Sequence, residues 1–206
     1  RLGGPLERLG DDARLLATGL EAEAELGPVQ LSAMLSPAEG EEAVAGTLRA
    51  HLAVKGTAAA PTASLRGTLQ SLKVASVALG QANLTWDYGD RRHVFAAALT
   101  SGGRLEARAE LELDVSVPAL RKPLPLATAP LKATLAAASF ELAPFARVHP
   151  MVRTLGGLLK LEAKLEGPLE KPAFGGRLEW AQGRLGLAGF GEYRELHLLL
   201  TGANDA

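Results

Sequence analysis

Histidine is the residue type in this chain best suited to metal binding or proton transfer, and the spacing of the four histidines favours neither role. No two of them have the HxH or HxxxH spacing that brings two imidazoles to one metal ion. The sequence has no cysteine, which excludes thiol nucleophiles, disulfides and thiolate metal ligands. We therefore predict no metal site and no cofactor, and we place four side chains in strands or loops: His51, His93, His149 and His197.

The glycine-rich stretch at 186–191 is the nearest approach to a phosphate-binding loop. Its spacing is GxxGxG rather than GxGxxG, and no helix or βαβ pattern follows it. A GxSxG elbow and a Walker loop are also absent from the sequence. We interpret these glycines as a tight connection between strands, and we do not expect an enzyme.

An unbroken alternation of apolar and polar residues runs from Leu105 to Val117. Successive side chains of a β-strand point to opposite faces, so this run predicts one strand with an apolar face and a charged face. At about 3.3 Å per residue the strand would be roughly 40 Å long, which exceeds most strands. The apolar positions are Leu105, Ala107, Ala109, Leu111, Leu113, Val115 and Val117.

Other segments with strand character follow the same rule. In Leu159–Leu165, for example, Leu159, Leu161, Ala163 and Leu165 alternate with charged residues. Gly, Pro, Asn and Asp separate the segments. The remaining predicted strands are Leu20–Leu26, Leu48–Val54, Ser64–Leu69, Lys73–Leu79, Ala82–Trp86, His93–Thr100, Leu131–Ala137, Gly176–Trp180, Arg184–Ala188 and Arg194–Thr201.

Helical signals are few. Prolines near the first turn favour short helices at Leu6–Leu16 and Ala143–Val152, and Pro118–Pro130 is typical of an extended connection. We predict a mainly β protein: an elongated, curved antiparallel sheet with one or two short helices.

A shift of 111 residues aligns the chain with itself. Repeats that each expose an apolar face are typical of stacked, quasi-one-dimensional architectures. We predict two units of one continuous sheet, residues 1–111 and 112–206, with a slip of two residues that brings 67–69 onto 176–178. The matching pairs include Gly46 with Gly157, Val54 with Leu165, Gly56 with Gly167 and Pro61 with Pro172.

Composition narrows the function classes. A net charge of −1 lacks the basic excess expected of a nucleic-acid-binding surface, so we expect no nucleic-acid partner. Hydrophobic residues make up 47% of the chain but aromatic residues only 4%. Because aromatic side chains normally fill core volume, a sheet faced with Ala and Leu would leave space above it. We place Trp86, Tyr88, Trp180 and Tyr193 at rims or strand ends.

The chain begins with Arg1 and has neither a signal-peptide pattern nor an apolar run of membrane-spanning length. We therefore interpret it as a fragment of a longer protein, with any export signal or membrane anchor outside it.

The segment 138–201 has an ordered set of elements that resembles the TamB family (translocation and assembly module) within the AsmA-like group. Residues from about 20 to 86 match the same order less closely, and Gly175 stands where the family often has an apolar residue. The matching elements are Phe140–Leu142, Pro144-Phe145, Gly157–Gly167, Pro172, Gly176–Leu178, Gly183–Leu185, Gly191 and Tyr193–Leu196.

The resemblance implies an internal or C-terminal segment of a large envelope protein of diderm bacteria. Such a protein spans the periplasm, is anchored in the inner membrane by a segment outside this chain, and has a taco-shaped sheet with an apolar interior. It also implies phospholipid transport towards the outer membrane, and outer-membrane protein assembly with a BamA-like barrel of the TamA type as partner.

Alternation and resemblance agree that a curled sheet would enclose an apolar trough. At about 0.8 kcal/mol per buried methylene, a lining could relieve roughly 13 kcal/mol for a 16-carbon acyl chain. A charge in the lining, such as Leu111→Asp, should block transport. The alternative is an interaction module, either a sandwich of two sheets or an open sheet edge that pairs with client strands. The hypothetical lipid-groove residues are Leu105, Ala107, Ala109, Leu111, Leu113, Val115, Leu159, Leu161, Ala163 and Leu165.

Overall fold

The described residues form one sheet of ten antiparallel strands, and each strand pairs with its neighbour along the chain. The computed structural model describes residues 17–34, 44–74, 77–100, 103–147 and 149–204. A short helix, α1 (Leu31–Met34), follows the first strand, and two 3-10 helices span Ala119–Arg121 and Ala143–Arg147. The strands are β1 Gly19–Gln30, β2 Val44–Thr57, β3 Pro61–Val74, β4 Val77–Gly89, β5 Arg92–Thr100, β6 Arg104–Glu112, β7 Pro130–Glu141, β8 Val152–Pro168, β9 Ala173–Leu187 and β10 Gly191–Asn204.

The sheet is curved and does not close into a barrel, which confirms the predicted fold class. The strands described all belong to this single sheet, so the predicted alternative of two packed sheets is not what forms. None of the large side chains described is fully buried. A sheet with two faces and no second layer must leave its apolar face open.

The strand β6 is shorter than the sequence pattern predicts, because it ends at Glu112 rather than Val117. Its partner β5 begins at Arg92, which pairs with Glu112, so no ladder is available beyond that pair. The following backbone N–H groups bond to other segments instead: that of Leu113 to the Arg91 carbonyl oxygen at 2.8 Å, and that of Val117 to the Ala58 carbonyl oxygen at 3.1 Å.

Other predicted boundaries also change. The helix predicted at Ala143–Val152 is a 3-10 helix that ends at Arg147, and Val152 already belongs to β8. The predicted strand Lys73–Leu79 spans the junction between β3 and β4, and the two strands predicted between 176 and 188 are one strand, β9. The predicted helix Leu6–Leu16 lies outside the described residues. The predicted boundary between the two units, at 111/112, lies within β6, and the sheet continues across it without interruption.

Backbone irregularities recur at the spacing of 111 residues. The β1–β2 ladder shifts register between Leu26 and Val29, and the β7–β8 ladder shifts between Ala137 and Phe140. The β2–β3 and β8–β9 ladders shift at Gly46 and at Gly157 respectively. Positive φ angles repeat too, with the value of 52° at both Ser71 and Gln182. The two units therefore share their bulges, and the first three strands of one correspond to β7, β8 and β9.

The predicted two-residue slip between the units is wrong. Ala50 pairs with Gly67 in the first unit, and Leu161 pairs with Leu178 in the second. Both members of the second pair lie 111 residues after those of the first (50 to 161, and 67 to 178), so Gly67 corresponds to Leu178 and not to Gly176.

The outer face of the sheet carries ion pairs. The Arg66 guanidinium lies 2.6 Å from the Asp87 carboxylate, and Glu110 lies between Arg92 and Arg108. The hydrogen bonds from these two arginines lower the pKa of Glu110. Exposed pairs of this kind add little stability, so their main effect is to keep this face in water.

Candidate hydrophobic groove

The opposite face of the sheet is apolar from strand to strand because the register aligns equivalent side chains in rows. In the central row, Ala107 of β6 pairs with Ala97 on one side and Leu135 on the other, and Leu135 pairs with Ala163. With strands about 4.8 Å apart, the face is roughly 43 Å across its ten strands. From β2 to β9 this row consists of Ala50, Gly67, Leu84, Ala97, Ala107, Leu135, Ala163 and Gly176.

A cavity of about 820 Å³ lies on this face and is open to solvent on one side. Its lining comes from seven consecutive strands, β3 to β9, so the apolar face is the concave one and the groove runs across the strands. The surface that lines the cavity is almost wholly apolar. Two large rings at its sides are incompletely covered, since Phe95 is 43% exposed and Phe174 is 41% exposed.

The structure brings together the two sets of residues predicted to line a groove. A single strand, β7, lies between them. Leu135 of β7 pairs with Ala107 on one side and with Ala163 on the other, and Ala133 likewise pairs with Ala109 and Leu165. Ala107, Ala109, Ala163 and Leu165 line the cavity. The predicted residues Leu105, Leu111, Leu159 and Leu161 lie on the same face but outside that lining.

Two predicted lining residues, Leu113 and Val115, lie beyond the end of β6. Leu113 is buried where the chain leaves the sheet, and the Val115 N–H group donates to the Tyr88 hydroxyl at 3.2 Å. Leu111 pairs with His93 and Leu131 near the same end of the sheet. The substitution Leu111→Asp therefore tests the groove less directly than a charge at Ala107.

The largest lining side chains were not predicted. Trp86, which we placed at a rim or strand end, lines the cavity in β4, and its indole stacks with the Phe95 ring at a centroid distance of 6.3 Å. Phe174 lines the opposite side. The sequence alternation in β4 predicts that Leu84 and Trp86 lie on one face. It does not predict that this face continues to Ala107, because that depends on which strands pair with β4 and β6.

One long side of the groove is formed by the connection between β6 and β7. At the β2–β3 turn, the Val117 N–H group of the connection donates to the Ala58 carbonyl oxygen. At the β8–β9 turn, the Leu169 N–H group donates to the Ala129 carbonyl oxygen of the connection at 3.0 Å. Ala129 and Ser116 in this connection are buried. The connection thus spans the sheet from the first unit to the second along this side.

The other long side is formed by the 3-10 helix Ala143–Arg147, which packs against β8 and against β4. In the sheet, β4 and β8 are separated by β5, β6 and β7. A helix that contacts both β4 and β8 therefore crosses the concave side of the sheet. Val77, at the start of β4, is buried, and the rings of Phe140 and Phe145 lie 5.8 Å apart. Among the described residues, the groove is therefore bounded on both long sides.

His93 is the one histidine on the concave face from β3 to β8, and it is 7% exposed. Its Nδ1 atom accepts a hydrogen bond from the Trp86 indole N–H at 3.3 Å, so Nε2 carries the proton and donates to the Leu113 carbonyl oxygen at 3.2 Å. Burial lowers the pKa of His93, against a smaller opposing effect of the Leu113 carbonyl. The neutral ring thus holds the β6–β7 connection against the groove.

Acidification should destabilise the fold through His93. Because the folded-state pKa lies below the usual value of about 6.5, the unfolded chain binds the proton first as the pH falls. The free energy of unfolding should therefore decrease once the pH falls below about 6.5, until the folded-state pKa is passed. Thermal denaturation at about pH 7.5 and 5.5 checks this, with a lower Tm expected at the lower pH.

The His93→Gln variant is the matched control. An amide can accept from the Trp86 N–H group and donate to the Leu113 carbonyl oxygen, but it does not titrate. Its Tm should change less than that of the wild type between the two pH values. An equal change in both proteins would assign the pH dependence to other groups.

No helix in the described part of the chain combines the length and hydrophobicity needed to span a bilayer. Within the same ranges, no three histidine or acidic side chains converge as a metal site requires. Comparisons of the chain with known protein families, with characterised proteins and with solved structures found no match.

Proposed function

We propose that the groove binds the acyl chains of phospholipids, as a segment of a periplasm-spanning bridge that carries lipid between the inner and outer membranes and supports outer-membrane biogenesis. The observation that carries the proposal is the open cavity of about 820 Å³ with its almost wholly apolar lining. The TamB-like order of sequence elements is the basis for the proposed compartment, the bacterial cell envelope.

The groove has the features that a passage for acyl chains needs. The surface that lines the cavity is almost wholly apolar and its central row is made of Ala, Gly and Leu, so no polar side chain of that row would hold one lipid in one place. Each methylene that leaves water for such a lining gains about 0.8 kcal/mol, whichever residue it touches. The open side leaves room for head groups to remain hydrated. Binding by many equivalent contacts suits movement along the groove better than a single fixed site.

Trp86 provides the test, because its indole lines the cavity and the chain has two tryptophans in all. In the Trp180→Phe variant, Trp86 is the sole tryptophan. Incubation with phosphatidylcholine brominated in the middle of its acyl chains should quench its fluorescence, since bromine quenches on contact. The same lipid without bromine gives the reference emission.

The complementary variant, Trp86→Phe, leaves Trp180 as the reporter. The Trp180 indole lies outside the cavity lining and donates to the Gly156 carbonyl oxygen at 2.9 Å, so it should be quenched less. Equal emission of the Trp86 reporter in brominated and unbrominated lipid would contradict acyl binding in the groove.

A second candidate function is supported by the edges of the sheet. Both β1 and β10 have a paired neighbour on one side only among the described strands. Open edges accept strands from other polypeptides, which is the chemistry of an interaction module in outer-membrane protein assembly. In that case a BamA-like barrel of the TamA type would be the partner that the sequence resemblance suggests.

A further inference from the structure

His93 lies between the lining of the groove and the connection that bounds it. On the groove side, its Nδ1 atom accepts a hydrogen bond from the Trp86 indole N–H at 3.3 Å, and Trp86 lines the cavity. On the other side, Nε2 donates to the Leu113 carbonyl oxygen at 3.2 Å. This pair of hydrogen bonds requires a neutral ring, because a charged imidazole donates from both nitrogens and accepts at neither.

The surroundings of His93 disfavour a positive charge. Its neighbours in the sheet are Tyr88 in β4 and Leu111 in β6, and the centre of the Tyr88 ring lies 4.6 Å from that of the imidazole. Tyrosine is uncharged in the pH range in which histidine titrates. In the connection, Asp114 pairs with Arg91 at 3.8 Å rather than with His93. No charged side chain among the described residues bonds to His93, so burial dominates and lowers its pKa.

Protonation of His93 would break the hydrogen bond from Trp86, because Nδ1 would then carry a proton of its own. The indole N–H and the new Nδ1–H group would each need another acceptor. In an empty groove, water in the open cavity can supply these acceptors. Acyl chains in the cavity would exclude that water and accept no hydrogen bond, and a buried donor without a partner is costly. Protonation of His93 and occupancy of the groove therefore oppose each other.

We propose that lipid binding in the groove is linked to the protonation of His93, so that acidification releases lipid and bound lipid keeps His93 neutral. This linkage rests on the proposed function, because it concerns the same groove. Linkage is reciprocal: the factor by which protonation weakens lipid binding is also the factor by which lipid weakens proton binding. Bound lipid should therefore lower the pKa of His93 further.

Lipid retention at about pH 7.5 and 5.5 tests the linkage. The protein is incubated with phosphatidylcholine vesicles and re-isolated, and the bound lipid is measured by mass spectrometry. Phosphatidylcholine has no group that titrates between these two pH values. The wild type should retain at least about threefold less lipid per protein at the lower pH. Circular dichroism at the lower pH checks that each protein compared is folded.

Two glutamine variants separate His93 from the other titrating groups. His93→Gln should retain the same amount of lipid at both pH values, since the amide can make both hydrogen bonds and does not titrate. The matched control is His51→Gln. His51 lies on the outer face, where its pairs are Glu25 and Arg66, so this variant should lose lipid on acidification as the wild type does.

A measurement on the empty protein follows the hydrogen bond itself. In the Trp180→Phe variant, the NMR signal of the Trp86 indole N–H should shift with pH at the same midpoint as the His93 ring. In the re-isolated lipid-bound protein, that midpoint should lie at a lower pH. Equal retention at both pH values by the wild type, or a pH dependence that persists in His93→Gln, would overturn the linkage and leave the proposed function intact. Retention at neither pH would overturn the proposed function, and the linkage with it.

Discussion

The Gly157→Ala variant should be less stable than the wild type by about 3–5 kcal/mol. Gly157 has a φ angle of +107°, which side chains rarely allow. A Cβ atom there would lie 2.6 Å from the Trp180 Nε1 atom and 2.7 Å from the Ala181 carbonyl oxygen. It would therefore displace the indole from its hydrogen bond to the Gly156 carbonyl oxygen.

Alanine variants of two other glycines provide the comparison for Gly157→Ala. Gly46 is the counterpart of Gly157 in the first unit, where a Cβ atom would lie 3.1 Å from the Gln70 carbonyl oxygen, so Gly46→Ala should cost less. Gly175 has open space around the position of its missing Cβ atom, and Gly175→Ala should be nearly neutral. Urea denaturation of the three variants measures the order. If Gly157→Ala were as stable as Gly175→Ala, the bulge would not require glycine.

The requirement at Gly157 has the same origin in both units. The carbonyl oxygen that a Cβ atom would meet belongs to Ala181 in one unit and to Gln70 in the other, and these residues are also 111 apart. The repeat in the sequence therefore preserves a bulge as well as an apolar pattern. Bulges bend a strand and increase its twist, so their repetition suits a sheet that curves in the same way in each unit.

The faces of the strands could be predicted from the sequence because alternation is a local property. Leu105, Ala107 and Ala109 lie on one face whichever strand pairs with β6. The end of β6 could not be predicted in this way. The alternation continues to Val117, but β5 supplies no partner beyond Arg92, and the start of a neighbouring strand is not encoded in the residues of β6.

The cavity shows the same limit. The low aromatic content correctly indicated that the sheet would leave space above its apolar face. The position of the few aromatic side chains depends on register. Trp86 pairs with Phe95, and the same row continues through the next three strands, β6 to β8, to Phe174 in β9. Alternation along β4 predicts the face on which Trp86 lies, but no local pattern predicts that Trp86, Phe95 and Phe174 line one cavity.

If the groove binds acyl chains as proposed, the Ala107→Asp variant should retain at least tenfold less phospholipid per protein than the wild type. Ala107 lies in the central row of the groove, where a carboxylate would contact any acyl chain in the cavity. Removal of an ionised group from water without a partner costs several kcal/mol, and one factor of ten corresponds to about 1.4 kcal/mol. In the empty groove the carboxylate stays hydrated, so the Tm should change little.

The control places the same side chain on the other face of the sheet. Thr68 lies on β3, paired with Arg49 and Asn83 on the outer face and outside the cavity lining, so Thr68→Asp adds a carboxylate beside a cation. This variant should retain phospholipid as the wild type does. Both proteins are incubated with phosphatidylcholine vesicles and re-isolated, and the bound lipid is measured by mass spectrometry. Normal retention by Ala107→Asp, or equal loss in both variants, would contradict the proposed binding of acyl chains on the concave face.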